Sequence, residues 1–164
     1  MGHQVSQPIP GSKATVLATA QNTSIGIEFA RTDLWRGLGL SDDAVQESTR
    51  KLAAEWLKQI KPDLVRNKKK VVQYARLQSD SIPVAATVLA PEFWKQFEET
   101  FGPKMRVVIP NRQTVFVFPD LESDLDQYSR MVIEAWRSRW PKVSLEVFEL
   151  SEKGLRALGS FDEP

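Results

Sequence analysis

Apolar residues recur at helical spacing in three stretches of the chain. The first follows Ser41, a favoured helix N-cap, and ends before Pro62. The second begins at Pro91, a favoured first helical residue. The third runs from Asp120 to Pro141, with acidic residues early and basic residues late, as the helix dipole prefers. The pattern predicts two long helices with one short helix between them. The predicted apolar face of the first helix consists of Val45, Leu52, Trp56 and Ile60.

Short runs of β-branched and aromatic residues predict strands over 14–19, 24–30, 71–77, 82–89, 106–109, 114–118 and 143–150. The first two runs form a predicted hairpin across a polar stretch, and residues 110–113 have the chemistry of a hairpin loop. The run 114–118 does not alternate with polar residues, so we expect it to be covered on both faces at the centre of the sheet. Residues 151–158 add a predicted last turn.

Strands that lie close together in the sequence, separated by helices, are typical of an α+β fold. We expect a largely antiparallel sheet with the two long helices and the one short helix packed on it. Residues 1–13 contain Pro8, Pro10 and Gly11 and are predicted to be a flexible leader. A single α+β domain is predicted over 14–160, followed by a polar tail over 161–164.

The composition fits one globular domain and excludes several chemistries. The chain has 164 residues, of which 41% are hydrophobic and 26% are charged, with 22 basic and 21 acidic side chains. It has no cysteine, and its one histidine, His3, lies in the predicted leader. Disulfides, thiolate metal sites and most histidine-based catalysis are therefore excluded. We expect no metal and no cofactor, and the inventory favours a function that is not enzymatic.

Acidic residues cluster where the third helix is predicted to begin, at Asp120, Glu122, Asp124 and Asp126. They lack the glycine and the final glutamate of a calcium loop, so the electrostatics of a helix start explain them better than a metal site. No apolar run approaches the roughly 18 residues that span a bilayer. Residues 1–6 lack the pattern of a secretory signal. We therefore expect a cytoplasmic protein that does not bind membranes.

Three groups of residues are candidates for binding. The turn Asn111-Arg112 projects a guanidinium that could clamp a carboxylate or phosphate, and pairing of Arg112 with a neighbouring acid is the alternative. Trp35 and Trp140 are the tryptophans that we expect to be exposed and available to a partner. A basic stretch without acidic residues is the candidate contact for nucleic acid; it contains Arg66, Lys68, Lys69, Lys70, Tyr74 and Arg76.

Several short segments carry a family resemblance: Leu38-Gly39-Leu40-Ser41, the run from Val88 to Trp94, the run from Val108 to Arg112, and Val143-Ser144-Leu145 with Phe148. In this order they resemble the C-terminal part of the YtpQ-like family, a bacterial family without an assigned activity. Its members are longer at the N-terminus and often carry an acid directly after the arginine, where this chain has Gln113. The resemblance implies an intact fold and a bacterial origin, and it assigns no catalytic residue.

These observations favour a small non-catalytic binding or protein-interaction module that acts on an unknown protein partner or by self-association. The alternative is a nucleic-acid-binding module that uses the stretch from Arg66 to Arg76. A third hypothesis is an enzyme in which Arg112 acts with Glu92 or Asp120. An exposed aromatic surface around Trp35 or Trp140 would support the first hypothesis, and a polar surface with a deep pocket would count against it.

Overall fold

The computed structural model describes residues 6–29, 31–120 and 125–161, so His3 lies outside the described residues. The strands are β1 (Ser6–Pro8), β2 (Val16–Ala18), β3 (Ala20–Thr23), β4 (Gly26–Phe29), β5 (Asp63–Arg66), β6 (Val72–Gln78), β7 (Lys104–Asn111), β8 (Thr114–Pro119), β9 (Glu146–Ser151) and β10 (Gly154–Ser160). The helices are α1 (Thr32–Gly37), α2 (Asp42–Lys58), α3 (Val84–Thr87), α4 (Pro91–Phe101) and α5 (Ser129–Ser138), and a short 3-10 helix, Leu125–Tyr128, precedes α5.

A six-stranded sheet with the order β10-β9-β7-β8-β6-β5 lies at the centre of the molecule. Every neighbouring pair in it is antiparallel. The pairs β1–β2 and β3–β4 form separate two-stranded sheets. The mixed content and the antiparallel sheet confirm the predicted α+β class. The predicted set of two long helices and one short helix matches loosely, because α2 has 17 residues, α4 has 11 and α5 has 10.

Helices cover the sheet on both faces, and the central strand β8 contributes to both cores. Val115 and Val117 pack in the cluster that contains Phe97 of α4. Phe116 packs in the opposite cluster with Val132 of α5. Successive side chains of a strand point to opposite faces, and both faces here meet apolar partners. The prediction that residues 114–118 are covered on both faces is confirmed.

The local signals for the starts of α2 and α4 are confirmed. The Ser41 Oγ accepts a hydrogen bond from the Ala44 amide at 3.2 Å, which satisfies a donor of the first turn. Pro91 is the first residue of α4, and Gly102 follows the end of that helix with a φ of 90°. A glycine adopts this left-handed conformation without a clash of its side chain.

The buried face of α2 is shifted by one position from the predicted face. Ala53 and Leu57 are buried, whereas Leu52 is 49% exposed and Trp56 is half-buried. Ile60, which follows the helix, is buried as predicted. Both sets of positions keep helical spacing, so periodicity alone does not distinguish them. Packing decides which set is buried, because Leu57 lies in the cluster that contains Leu77 of β6 and the side chains of α4.

Residues 82–89, predicted as a strand, contain helix α3 instead. The Ala85 amide donates to the Arg112 carbonyl at 3.0 Å, and the Thr87 hydroxyl donates to the Val84 carbonyl at 2.6 Å. The prediction was wrong because contacts with the distant β7–β8 turn and within the helix outweigh the β propensity of this apolar run.

The last turn predicted over 151–158 is a β-hairpin, in which β10 pairs with β9 from Gly154 opposite Ser151 to Ser160 opposite Glu146. Gly154 has a φ of 104°, a conformation that closes this turn and that glycine tolerates. Strand β5 was not predicted either. Its sequence, Asp-Leu-Val-Arg, is short and half charged, which hides it from a hydrophobic pattern.

The third predicted helix is shorter than the span from Asp120 to Pro141. Glu122 and Asp124 lie outside the described residues. Helix α5 ends at Ser138, whose hydroxyl donates to the Ala135 carbonyl at 3.2 Å. The residues between Ser138 and Pro141 are therefore in a loop.

The N-terminal segment also differs from its prediction. Residues 6–13, part of the predicted flexible leader, include strand β1, which pairs with β2. Ile9 is buried, and the Ala157 amide donates to the Pro10 carbonyl at 2.8 Å. Gly11 has a φ of 77°, and a Cβ there would lie 2.7 Å from the Ala157 carbonyl oxygen. This close approach to β10 requires glycine.

The predicted pairing of 14–19 with 24–30 does not form. Instead β2 pairs with β1, and β3 pairs with β4, with Ala20 opposite Phe29. The polar stretch that was predicted as a turn lies inside β3. Polarity is a poor guide here because Gln21 is exposed to solvent and a strand at the surface accepts such residues.

A buried carboxylate, Glu146, holds residues 12–15 against the start of β9. It accepts hydrogen bonds from the Ser12 hydroxyl at 2.8 Å, the Thr15 hydroxyl at 2.5 Å, the Lys13 amide at 2.8 Å and the Ala14 amide at 3.3 Å. Burial raises the pKa of Glu146, but these four hydrogen bonds together lower it by more. The net pKa is below the ordinary value of 4.5.

Candidate functional site

The Asn111-Arg112 turn joins the sheet to α5. Asn111 is 1% exposed, its Nδ2 donates to the Ala135 carbonyl at 2.8 Å, and its Oδ1 accepts from the Gln113 amide at 2.9 Å. Both ends of the amide are therefore occupied. In this structure Asn111 supports the turn and does not offer a free polar group to a ligand.

A loop of residues 139–143, which we call the Trp140 loop, is attached along this turn. The Arg112 amide donates to the Pro141 carbonyl at 3.1 Å, and the Val143 amide donates to the Pro110 carbonyl at 3.0 Å. An isolated antiparallel bridge joins Asn111 and Lys142. These bonds hold the backbone of the loop on the C-terminal side of Trp140.

Arg139 ties the Trp140 loop to two other segments. Its Nη1 donates to the Asp80 carboxylate and, at 3.3 Å, to the Gln113 Oε1. The Gln113 Nε2 donates to the Asp80 carbonyl at 3.0 Å. Asp80 and Arg139 are far apart in the sequence, so sequence analysis missed this network, and no local signal could have found it.

Trp140 itself projects from this braced loop and is 81% exposed. Val143 in the same loop is also exposed. Lys142 lies with its Nζ 3.8 Å from the centre of the Trp136 ring, a cation–π contact. The predicted exposure of Trp140 agrees with the structure.

Trp35 was predicted to be exposed and is instead buried. It is 5% exposed, and its Nε1 donates to the Asp42 carboxylate at 2.8 Å. The hydrogen bond to the first residue of α2 holds the indole against the protein. Trp35 therefore is not part of the surface available to a partner.

Arg112 does not meet the carboxylates that the enzyme hypothesis requires. Asp120 follows the far end of β8, roughly 20 Å along the strand from the turn, and accepts from the Arg106 Nε at 3.2 Å. Glu92 lies near Lys58. The pKa of Lys58 is raised mainly by the hydrogen bond and the charge of Glu55, and to a smaller extent by the charge of Glu92. The Nε of Arg112 is buried and has no hydrogen-bond partner among the described residues.

The basic stretch forms the β5–β6 hairpin, and only part of it is available for binding. Arg66, Lys68, Lys69 and Lys70 are exposed at or beside the turn. Tyr74 is instead packed among rings, with its centroid 5.7 Å from that of Phe118 and 5.4 Å from that of Tyr128. Arg76 pairs with Asp63 at 2.9 Å. Tyr74, one of the predicted contacts for nucleic acid, therefore has its ring occupied by other aromatic side chains and does not offer it to a base.

The surface of the described residues includes grooves that are open to solvent, among them two that differ in their lining residues. One has a volume of about 310 Å³ and is lined by Lys61, Asp63, Arg76, Gln78, Ser79 and Asp80. The other has a volume of about 530 Å³ and is lined by Asp126, Ser129, Arg130, Ile133, Glu134, Arg137, Ser160 and Phe161. Neither groove includes Asn111 or Arg112.

Two further observations concern metals and membranes. Within residues 6–29, 31–120 and 125–161, no group of three or more histidine, aspartate or glutamate side chains is arranged to hold a metal ion. None of the helices described by the structure combines the length and the apolar character that crossing a bilayer requires.

Searches of protein-family models, curated proteins and solved structures find no match for this chain. The resemblance to the YtpQ-like family therefore stays a prediction. The candidate site rests on the geometry of the Trp140 loop and of the β5–β6 hairpin.

Proposed function

We propose that this protein is a non-catalytic protein-binding module and that Trp140 is its main contact with a partner. The observation that carries the proposal is an indole that is 81% exposed on a loop whose backbone is held in place. Trp is among the residues that most often dominate the free energy of protein–protein binding.

The bracing of the loop supports a binding role. The ordering of a flexible loop at an interface opposes binding, because the loop loses conformational entropy. Here Arg112 and Pro110 already bind the loop backbone, and Arg139 binds Asp80 and Gln113. A partner would therefore meet Trp140 with little further ordering of the backbone.

The apolar area of the indole supports the same role. A large aromatic side chain buries on the order of 200 Å², and apolar burial contributes about 25 cal/mol per Å². Most of this area on Trp140 still faces solvent, so covering it would favour association by several kcal/mol before the costs of binding are subtracted. Buried Trp35 offers no such area.

A cytoplasmic location is part of the same proposal, and a bacterial origin rests on the YtpQ-like resemblance. The partner is another protein or a second copy of this chain. The Asn111-Arg112 turn acts in this account as the support of the Trp140 loop, through the Asn111 amide and the Arg112 backbone. Binding of a carboxylate or phosphate by the Arg112 guanidinium stays a prediction.

Site-specific photo-crosslinking in the native host tests the proposal. A photoreactive phenylalanine derivative is placed at position 140, and in a matched control it replaces Phe29, an exposed aromatic residue of β4. We expect an ultraviolet-dependent adduct of defined mass from position 140 and none from position 29. An adduct of twice the 18.6 kDa chain mass would identify self-association. Absence of an adduct at 140, or equal adducts at both positions, would contradict the proposal.

A further inference from the structure

We propose that the turn of the β5–β6 hairpin, residues 66–70, is a second binding site that contacts the phosphates of a double-stranded nucleic acid without reading its bases. The site is independent of the Trp140 loop. We call residues 66–70 the basic turn; its cations are Arg66, Lys68, Lys69 and Lys70.

The backbone of the basic turn is held by its own hydrogen bonds. The Asn67 Oδ1 accepts from the Lys69 amide at 2.9 Å and from the Val71 amide at 3.0 Å. The Arg66 Nη1 donates to the Lys70 carbonyl at 2.9 Å, and the Asn67 amide donates to the Val71 carbonyl at 2.9 Å. The three lysine side chains thus project from a fixed frame.

The three lysines carry charges that the described chain does not neutralise. All three are exposed, and none forms an ion pair with a described residue. The acidic residue of the hairpin, Asp63, is paired with Arg76 at 2.9 Å. Residues 61–78 as a whole contain six basic side chains and one acidic side chain, a net charge of +5. Phosphates are the ligands that such a surface attracts.

The basic turn contains two energetically unfavourable features. Lys70 has a φ of 62°, and the left-handed region costs a residue with a Cβ about 1 to 2 kcal/mol. Glycine or asparagine would occupy this position at lower cost. Three adjacent cations also repel one another. The basic turn carries both costs, and strained backbone is concentrated at functional sites.

The shape of the hairpin favours a duplex over a single strand. β5 is the edge strand of its sheet, and β6 pairs with β8 over Ala75–Gln78, so the basic turn extends beyond the neighbouring strand and is accessible to the phosphates of a duplex. Single-strand binding gains much of its free energy from bases stacked on aromatic rings. Tyr74, the aromatic residue of β6, already packs against Phe118 and Tyr128. The basic turn can therefore bind nucleic acid mainly through its charges, and a duplex carries more phosphates per unit length than a single strand.

The test is binding of a labelled 20-base-pair DNA duplex, measured by fluorescence anisotropy over a series of salt concentrations. The variant Lys68→Gln/Lys69→Gln/Lys70→Gln removes three charges from the basic turn. The control Lys51→Gln/Lys95→Gln/Lys153→Gln removes the same charge from exposed positions elsewhere. Unchanged urea midpoints establish that both variants fold.

We expect the basic-turn variant to bind at least tenfold more weakly at low salt. The slope of log K against log salt changes by about 0.9 for each phosphate contact, so losing three contacts should flatten it by about 2.7. The control variant should keep the wild-type affinity and slope. Equal weakening by both variants, or no duplex binding by the wild type, would overturn the proposal. So would tighter binding of the matching single strand, or equal displacement of the duplex by a polyglutamate of the same charge.

Discussion

Replacing Glu146 with glutamine should release the N-terminal segment from the domain. Glu146→Gln keeps the shape of the side chain but removes its charge and one acceptor oxygen. Four donors of residues 12–15 bind the carboxylate in the wild type. Hydrogen bonds to charged groups contribute about 1.5 to 3 kcal/mol each, and the remaining oxygen of the glutamine still accepts some of these bonds. Counting two bonds at about 1.5 kcal/mol, we expect the free energy of unfolding to fall by about 3 kcal/mol.

Urea unfolding measures this loss, and a matched variant on the same strand controls for the substitution itself. Glu149 of β9 pairs with Arg156 at 3.2 Å in a partly exposed cross-strand pair, and such pairs contribute about 0 to 1 kcal/mol. Glu149→Gln should therefore have a small effect. Trypsin should also cleave after the exposed Lys13 faster in Glu146→Gln than in the wild type or in the control. Equal destabilisation by the two variants would refute the reasoning.

The effect of Glu146 should depend on pH in a defined direction. Burial raises the pKa of this carboxyl, the four hydrogen bonds lower it by more, and the result lies below 4.5. The folded state therefore loses the favourable carboxylate interactions as the pH falls through this lowered pKa. The stability difference between wild type and Glu146→Gln should be full near neutral pH and should shrink below pH 4.5. A difference that is constant into strong acid would contradict this cause.

Three further substitutions test the packing. Gly11→Ala should destabilise more than Gly39→Ala in urea, because both residues have a positive φ but only a Cβ at position 11 meets a carbonyl oxygen, at 2.7 Å. Equal effects would show that this close approach is absent. Asn111→Ala should lower the free energy of unfolding by about 2 to 3 kcal/mol, because it leaves buried polar groups unpaired. It should also speed tryptic cleavage after Arg139 in the Trp140 loop. An Asn111→Ala variant that is as stable and as resistant to trypsin as the wild type would contradict the inference that Asn111 supports the Trp140 loop. Phe97→Ala should lower the free energy of unfolding by about 3 to 5 kcal/mol, because the buried Phe97 ring fills the core between α4 and the sheet. A small shift of the urea midpoint would argue against this packing.

The parts of the fold that sequence predicts well are those with local signals. The N-cap Ser41 and the first-turn Pro91 act on neighbouring residues, so the starts of α2 and α4 could be found without the structure. The central strand could also be found, because burial on both faces leaves a continuous apolar run at 114–118.

The parts that were missed depend on distant contacts. Helix α3 replaces a predicted strand where Ala85 binds Arg112, and residues 6–13 are ordered by contacts such as that of Pro10 with Ala157. Trp35 was expected at the surface, but its hydrogen bond to Asp42 and its burial reverse that expectation. Such contacts leave no periodic trace in the sequence.

The candidate site was predicted in part. The exposure of Trp140 was predicted, but its position in a loop was not, because the third helix was predicted to run to Pro141 and α5 ends at Ser138. The bracing of that loop by Asp80 and Gln113 could not be predicted, since it joins three segments that are remote along the chain.

The affinity of the crosslinked partner for Trp140→Ala, compared with Phe29→Ala, tests the central claim most directly. Both side chains are exposed aromatics, at 81% and 60%, so neither substitution removes core packing. A dominant contact contributes at least about 2 kcal/mol, which is roughly a 30-fold change in Kd. We expect Trp140→Ala to weaken binding by at least that factor and Phe29→Ala to leave it unchanged. If Trp140→Ala binds as tightly as the wild type, the Trp140 loop is not the binding surface.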